Sequence, residues 1–161
     1  MKIRTIIIDD EPLARKRIVK LLEHVEEINV IEECSTGKRA IQAINELAPS
    51  LVFLDIKLKD MTGFKILEQI IPSVKPVVIF ITAYDEFAIK AFDYFALDYL
   101  QKPFREDRFF KSVNKAIEVI KDKQSLLFDN KIKSVLDYIT AHGENKIFVK
   151  KIPVKLGNKI L

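Results

Sequence analysis

The fold of this chain is decided by residues 3–10, which read IRTIIIDD. Isoleucine and threonine favour a strand, because β-branched side chains pack well on a pleated sheet. Three consecutive isoleucines break the alternation of a half-exposed strand and are typical of a strand covered by helices on both faces. Asp9 and Asp10 follow the last isoleucine directly. We therefore predict a buried parallel strand with two carboxylates at its carboxyl end.

The same pattern, a short apolar run followed by a helical stretch, recurs along the chain. Further strands are predicted around Val30 and Ile31, at 51–54, at 77–81 and at 96–100. Helices with apolar spacings of three and four are predicted at 14–25, 37–47, 63–71, 86–94 and from about 105 to 120. Five alternating strands and helices favour an α/β fold, a doubly wound, five-stranded parallel sheet in a domain of about 120 residues.

Beyond residue 121 this rhythm changes. Apolar residues at helical spacing predict one more helix that stops near 142–143; they are Ile132, Val135, Leu136 and Ile139. Residues 146–152 alternate like a strand, and residues 153–161 resemble a hairpin that breaks off in mid-strand. We expect a first domain at 1–121, a linker helix region at 122–145, and at 146–161 the start of an incomplete β-rich unit.

Composition bounds the compartment and the class of protein. Hydrophobic residues make up 48% and charged residues 31%, which is ordinary for a globular protein. The single cysteine, Cys34, cannot form an internal disulfide, and it is expected to be a small buried side chain. No run approaches the roughly 20 apolar residues of a membrane span. We expect a soluble, cytoplasmic protein that does not associate with membranes.

The charge is distributed unevenly. Residues 121–161 hold nine lysines and four acidic residues, whereas the rest of the chain is nearly neutral, within a net charge of +4. A basic tail suits an acidic partner such as DNA, and it is equally explained as a solvated lysine-rich surface.

Polar residues follow four of the predicted strands. They are Asp9 and Asp10 after the first, Asp55 after the third, Thr82 at the end of the fourth and Lys102 past the fifth. Ligands of open parallel sheets bind beyond the carboxyl ends of the strands, so we expect these side chains to converge. Three carboxylates repel one another unless a cation joins them, and Mg²⁺ prefers such oxygen ligands. Phosphoryl transfer onto an aspartate is the chemistry this set suggests.

Each of these residues also has an ordinary structural explanation. The Asp pair could cap the following helix, Thr82 could be a plain strand end, and Lys102 could be solvated. One shared site, by contrast, accounts for all of these residues together.

These residues, in this order, resemble the receiver domain of two-component response regulators. The resemblance covers residues 1 to about 121 and rests on Asp9-Asp10-Glu11, Asp55, the loop from Leu58 to Gly63, Thr82-Ala83 and Lys102-Pro103. It implies the strand order 2-1-3-4-5 of flavodoxin-like sheets. It also implies that Asp55 accepts a phosphoryl group from a sensor histidine kinase.

The resemblance assigns roles to the neighbouring residues as well. It implies that Asp10, Asp55 and the backbone carbonyl of Lys57 bind Mg²⁺, with Asp9 acting through metal-bound water. Thr82, Ala83 and Lys102 would bind the phosphoryl oxygens or switch with them. The aromatic ring of Tyr99 would turn inward together with Thr82. Lys57 and Tyr84 occupy positions that tune the phosphoryl lifetime in the family. Lys59 departs from the pattern, since many receivers have proline there.

The stretch 83–104 resembles regulators with a LytTR-type, mostly β, DNA-binding output. Residues 152–161, IPVKLGNKIL, are similar to the first hairpin of that output domain. The resemblance implies a regulator of transcription that binds DNA through the output domain of the full-length protein rather than specifically through residues 1–161. A homodimer formed on phosphorylation, through the fourth and fifth helices, is a further expectation.

The residues leave two other functions open. One is a receiver-like interaction module that acts without phosphorylation, although such modules typically lose acidic residues that this chain keeps. The other is an aspartate-nucleophile phosphohydrolase, which usually has a second Asp where Lys57 stands. In the preferred interpretation the chain is no enzyme for a separate substrate and catalyses only its own phosphorylation and dephosphorylation.

Overall fold

The computed structural model describes residues 2–142. Within that range the elements alternate between strand and helix. They are β1 (Ile3–Ile8), α1 (Pro12–Leu22), β2 (Ile28–Cys34), α2 (Gly37–Leu47), β3 (Leu51–Leu54), α3 (Gly63–Glu68), β4 (Val77–Thr82), α4 (Ala88–Asp93), β5 (Asp98–Gln101) and α5 (Glu106–His142). The predicted β-rich unit at 146–161 lies outside the described residues.

The strands form one parallel sheet in the order β2-β1-β3-β4-β5, which confirms the predicted fold class. The register aligns one row of residues across all five strands near their carboxyl ends. That row is Cys34, Ile8, Leu54, Phe80 and Tyr99. The residues that follow this row therefore meet at one edge of the sheet.

Both faces of the sheet are buried, as the apolar strands require. On one face Ile6, Val52 and Phe80 join the core residues of α2 and α3. On the other face the ring of Phe53 stacks on Phe109 of α5, with the ring centroids 5.7 Å apart. Burial on both faces explains why β1, β3 and β4 are apolar without alternation.

The predicted bounds of several elements differ from the structure. Helix α1 covers Pro12–Leu22 rather than 14–25. Helix α3 ends at Glu68 rather than at 71, because Pro72 disfavours a helical Ile71, whose amide instead donates to Asn45 Oδ1 at 2.9 Å. Helix α4 begins at Ala88 rather than at 86. Strand β5 begins at Asp98 rather than at 96, because residues 94–96 complete the end of α4, with Phe95 at a positive φ of 59°.

Helix α5 corrects one expectation. The sequence pattern predicts one helix that ends near 120 and a separate one beyond it, whereas α5 is a single helix from Glu106 to His142. No glycine or proline stands between these residues to interrupt it. By its internal contacts the chain divides into two compact units, Met1–Ile117 and Glu118–Leu161. Among residues 2–142, no helix combines the length and hydrophobicity needed to cross a bilayer.

Candidate functional site

The candidate site lies where the parallel strands end. The backbone amide of Asp9 donates to the carbonyl of Cys34, and that of Asp55 to the carbonyl of Ile8, both at 3.0 Å. The amide of Lys102 donates to the carbonyl of Thr82 at 2.7 Å. These hydrogen bonds continue the sheet ladder one step beyond the strands. The sheet backbone therefore fixes the residues that the sequence singled out.

Three carboxylates come together at this edge. Asp9 is 1% exposed and Asp55 is 6% exposed, and Asp10 is partly buried. One carboxylate oxygen of each lies within 4.8 Å of the other two. Hard oxygen ligands at this spacing, in a partly enclosed cluster of three negative charges, fit a divalent cation such as Mg²⁺. The donor set therefore fits the metal that the sequence predicts.

Lys102 supplies the positive charge inside this cluster. Its ammonium lies 2.6 Å from Asp9 Oδ2 and 3.2 Å from Asp55 Oδ2. Burial disfavours the ammonium, but the hydrogen bond to Asp9 and the charge of Asp55 outweigh burial and raise the pKa of Lys102. Burial raises the pKa of Asp9, although the hydrogen bonds from Lys102 and from the Glu11 amide oppose the rise. The lysine is therefore charged at neutral pH and bridges two acids.

Backbone amides orient the remaining carboxylate oxygens. Asp9 Oδ1 accepts from the amide of Glu11 at 2.9 Å, and Asp55 Oδ1 accepts from the amide of Ile56 at 2.7 Å. Gly63 allows a close approach behind Asp55, since a Cβ at that position would lie 2.5 Å from the Asp55 carbonyl oxygen. The Asp55 side chain is thus fixed by its own loop as well as by Lys102.

The hydroxyl and aromatic residues lie along the loop that follows β4. Thr82 is fully buried, and its Oγ1 accepts from the amide of Tyr84 at 3.4 Å, whereas Ala83 is exposed. Tyr99, on β5, donates its hydroxyl proton to the carbonyl of Tyr84. Thr82 and Tyr99 therefore both hold the same loop residue, Tyr84.

Lys57 approaches the same loop from the other side. Its ammonium lies 4.2 Å from the centroid of the Tyr84 ring and 5.6 Å from that of Phe87, which are cation–π distances. Its backbone forms an antiparallel bridge with Thr62. The ammonium of Lys57 therefore contacts aromatic rings, so this side chain differs in environment from that of Lys102.

One residue that contributes to this region was missed by sequence reasoning. Asp60, in the loop after β3, accepts hydrogen bonds from the amides of Gly37 and Lys38 at 2.8 and 3.0 Å. These residues are more than 20 positions apart, and no local pattern links an exposed acid to a distant helix start. Only the tertiary fold identifies the pair.

Comparison with known proteins agrees with this geometry. Residues 5–114 match the response regulator receiver domain family. The chain is 38% identical over 148 residues to the transcriptional regulatory protein BtsR of Salmonella typhi, covering 91% of this chain and 61% of that protein. It is also 38% identical over 150 residues to a response regulatory protein of Yersinia pestis, covering 93% and 62%. The chain thus spans about three fifths of the length of these curated relatives.

Solved structures give the same fold. The response regulatory domain of mrkE from Klebsiella pneumoniae superposes with a TM-score of 0.69 at 26% identity, covering 74% of this chain and 98% of that one. The receiver domain of AraT from Geobacillus stearothermophilus superposes with a TM-score of 0.70 at 27% identity, covering 77% and 99%.

Proposed function

Because the chain belongs to the response regulator receiver family, we propose that Asp55 accepts a phosphoryl group from a sensor histidine kinase. One observation carries the proposal: Asp55 is a buried carboxylate that shares an edge of the sheet with two other acids and a lysine ammonium. The same observation argues against an interaction module that works without phosphorylation, because a purely structural surface gains nothing from three clustered acids.

In the proposed reaction a carboxylate oxygen of Asp55 attacks the phosphorus atom. The bond between phosphorus and the kinase histidine nitrogen breaks, and its electron pair stays on nitrogen. Asp10, Asp55 and the carbonyl of Lys57 would hold Mg²⁺, and Asp9 would act on it through water. When bound, the ion would supply positive charge for the phosphoryl oxygens. Lys102 turns its ammonium toward the same oxygens.

Two residues connect the phosphoryl group to the rest of the domain. The Thr82 hydroxyl and the Ala83 amide bind phosphoryl oxygens in the phosphorylated state. Thr82 Oγ1 then gives up its long contact with the Tyr84 amide, at 3.4 Å, and Tyr99 turns inward as its hydrogen bond to that loop is lost. Through these steps, the charge added by the phosphoryl group rearranges the surface of the domain.

Lys57 and Tyr84 set how long the phosphoryl group lasts. Their cation–π contact joins the loop after β3, which begins with Asp55, to the loop after β4. A closed contact restricts the approach of water to the acyl phosphate, so its loss shortens the lifetime. Lys57 also argues against the phosphohydrolase alternative, because an ammonium held over an aromatic ring is no general acid–base carboxylate.

The output of the switch is transcriptional in this proposal. The curated relatives include proteins named transcriptional regulatory proteins, and this chain spans about three fifths of their length. Residues 122–145 would link the receiver at 1–121 to a LytTR-type domain that begins at 146–161. DNA is bound through the output domain of the full-length protein. The receiver catalyses only its own phosphorylation and dephosphorylation and acts on no separate substrate.

Acetyl phosphate tests the proposal. We compare the parent chain with Asp55→Asn and with Asp85→Asn, a matched control that removes an exposed acid from the β4–α4 loop. Intact mass spectrometry with Mg²⁺ should give one phosphoryl adduct in the parent and the control, and none in Asp55→Asn or in EDTA. Absence of the adduct from the parent, or its survival in Asp55→Asn, would refute the proposal.

A further inference from the structure

The loop between β3 and α3 is fastened to the start of α2 by Asp60. The two carboxylate oxygens of Asp60 accept from the amides of Gly37 and Lys38, at 2.8 and 3.0 Å. These hydrogen bonds, that from Gly37 above all, lower the pKa of Asp60. A charged carboxylate also suits the positive end of the helix dipole.

The first turn of α2 divides its amides between two partners. Thr36 Oγ1 accepts from the amide of Arg39 at 3.2 Å, and the carbonyl of Thr36 accepts from Ala40 at 3.0 Å. Asp60 takes the two amides that remain, those of Gly37 and Lys38. The ordinary capping of the helix therefore comes from Thr36, while Asp60 makes a cross-link between two segments.

A side-chain contact strengthens the same cross-link. A Cβ at Gly37 would lie 2.2 Å from Met61 Cγ, so the Met61 side chain lies directly on the glycine. The tip of the loop thus contacts α2 through a carboxylate and a thioether side chain in succession.

The loop itself is closed by backbone hydrogen bonds. The amide of Leu58 donates to the carbonyl of Met61 at 3.1 Å, and Lys57 bridges to Thr62. The amide of Gly63 donates to the carbonyl of Ile56 at 2.6 Å. Displacement of the tip is therefore transmitted to Lys57, whose carbonyl is a proposed Mg²⁺ ligand. Lys59, beside Asp60, lacks the fixed φ of a proline, so the loop depends on its anchor.

We propose that Asp60 is a positioning residue, whose hydrogen bonds to α2 hold the β3–α3 loop so that the Lys57 carbonyl stays in place for Mg²⁺; this inference rests on the proposed function. Its role differs from simple helix capping, because Thr36 already caps the same helix through the amide of Arg39.

The test compares Asp60→Ala and Asp60→Asn with Thr36→Ala in the full chain. Thr36→Ala removes a hydrogen bond from the same helix end, so it matches the loss of helix stability. Hydrogen exchange of the amides of residues 57–62 reports on the loop without any metal. Isothermal titration with Mg²⁺ alone reports on the site.

In Asp60→Ala we expect faster exchange at 57–62 and a Mg²⁺ dissociation constant raised about tenfold. Thr36→Ala should resemble the parent in both measurements. Asp60→Asn should fall between Asp60→Ala and the parent, since it keeps an oxygen acceptor and loses the charge. Equal effects of Asp60→Ala and Thr36→Ala, or unchanged loop exchange in Asp60→Ala, would overturn the inference. A parent chain that binds no Mg²⁺ would refute the metal site itself, while the exchange data would still decide whether Asp60 anchors the loop.

Discussion

The positive charge of Lys102 balances two buried acids, so it contributes both to the stability of the fold and to the site. Substitution by Met keeps the side-chain length and removes the ammonium, which leaves Asp9 and Asp55 facing each other. We expect Lys102→Met to lower the free energy of unfolding in EDTA by about 2 kcal/mol. Removing one partner of a fully buried ion pair would cost more, but Lys102 keeps some contact with water. Urea unfolding measures the change, and Mg²⁺ should restore part of it.

Lys57→Met is the matched control for that experiment. It removes a lysine ammonium from the neighbouring loop, where the group contacts aromatic rings rather than carboxylates. The expected loss is about 1 kcal/mol or less. Equal losses in the two variants, or no loss in Lys102→Met, would show that Lys102 does not balance the acid cluster.

At the level of elements, Asp98 on β5 and Arg108 on α5 tie strand to helix. Arg108 donates from Nη1 to Asp98 Oδ2 at 2.8 Å and from Nη2 to Oδ1 at 2.7 Å. Burial alone would raise the pKa of Asp98, but the guanidinium and the Tyr99 amide lower it. A pKa below the unfolded value of about 3.9 stabilises the fold above that pH, and the stabilisation is lost as pH falls through the folded value.

Arg108→Gln should therefore destabilise the chain in a pH-dependent way. We expect a loss of about 1 kcal/mol at neutral pH, a modest figure because the guanidinium is partly exposed, and a smaller loss near pH 3. Urea unfolding at the two pH values checks this. In Asp98→Asn, the further change Arg108→Gln should have an effect that does not depend on pH. A loss that is equal at both pH values in the parent background would contradict the assignment.

Some of these elements could be predicted from the sequence, and others could not. β1, β3 and β4 were predictable because each is an apolar run that ends in a polar residue, and so was the meeting of Asp9, Asp55 and Lys102 at one edge. The limit of α3 was not, because the amide of Ile71 bonds to Asn45, which is distant in sequence. The start of β5 was not, because no residue type there indicates the positive φ of Phe95. The same is true of Asp60, whose partners lie on a helix more than 20 residues earlier.

At the level of the whole molecule, several apolar side chains on and after α4 are exposed, and we propose that they form the contact with a second copy. Ile89 is 82% exposed, Phe92 67% and Phe95 93%. We expect sedimentation velocity to show a monomer in the unmodified protein and a dimer with beryllofluoride and Mg²⁺, which mimic the phosphorylated state. Phe92→Ser should abolish the dimer. Leu13→Ser, a control at an 80% exposed residue of α1, should leave it intact.

A monomer under both conditions would contradict dimerisation on phosphorylation. A dimer that survives Phe92→Ser and is lost in Leu13→Ser would move the interface from α4 to α1.

The position of the phosphoryl group tests the proposed switch most directly. Borohydride reduces an aspartyl phosphate to homoserine, so treatment of the acetyl phosphate–modified chain followed by peptide sequencing by mass spectrometry identifies the acceptor. We expect homoserine at residue 55 alone, and only when Mg²⁺ was present during phosphorylation. Homoserine at Asp9 or Asp10, or at no residue, would contradict the assignment of Asp55 as the phosphoryl acceptor.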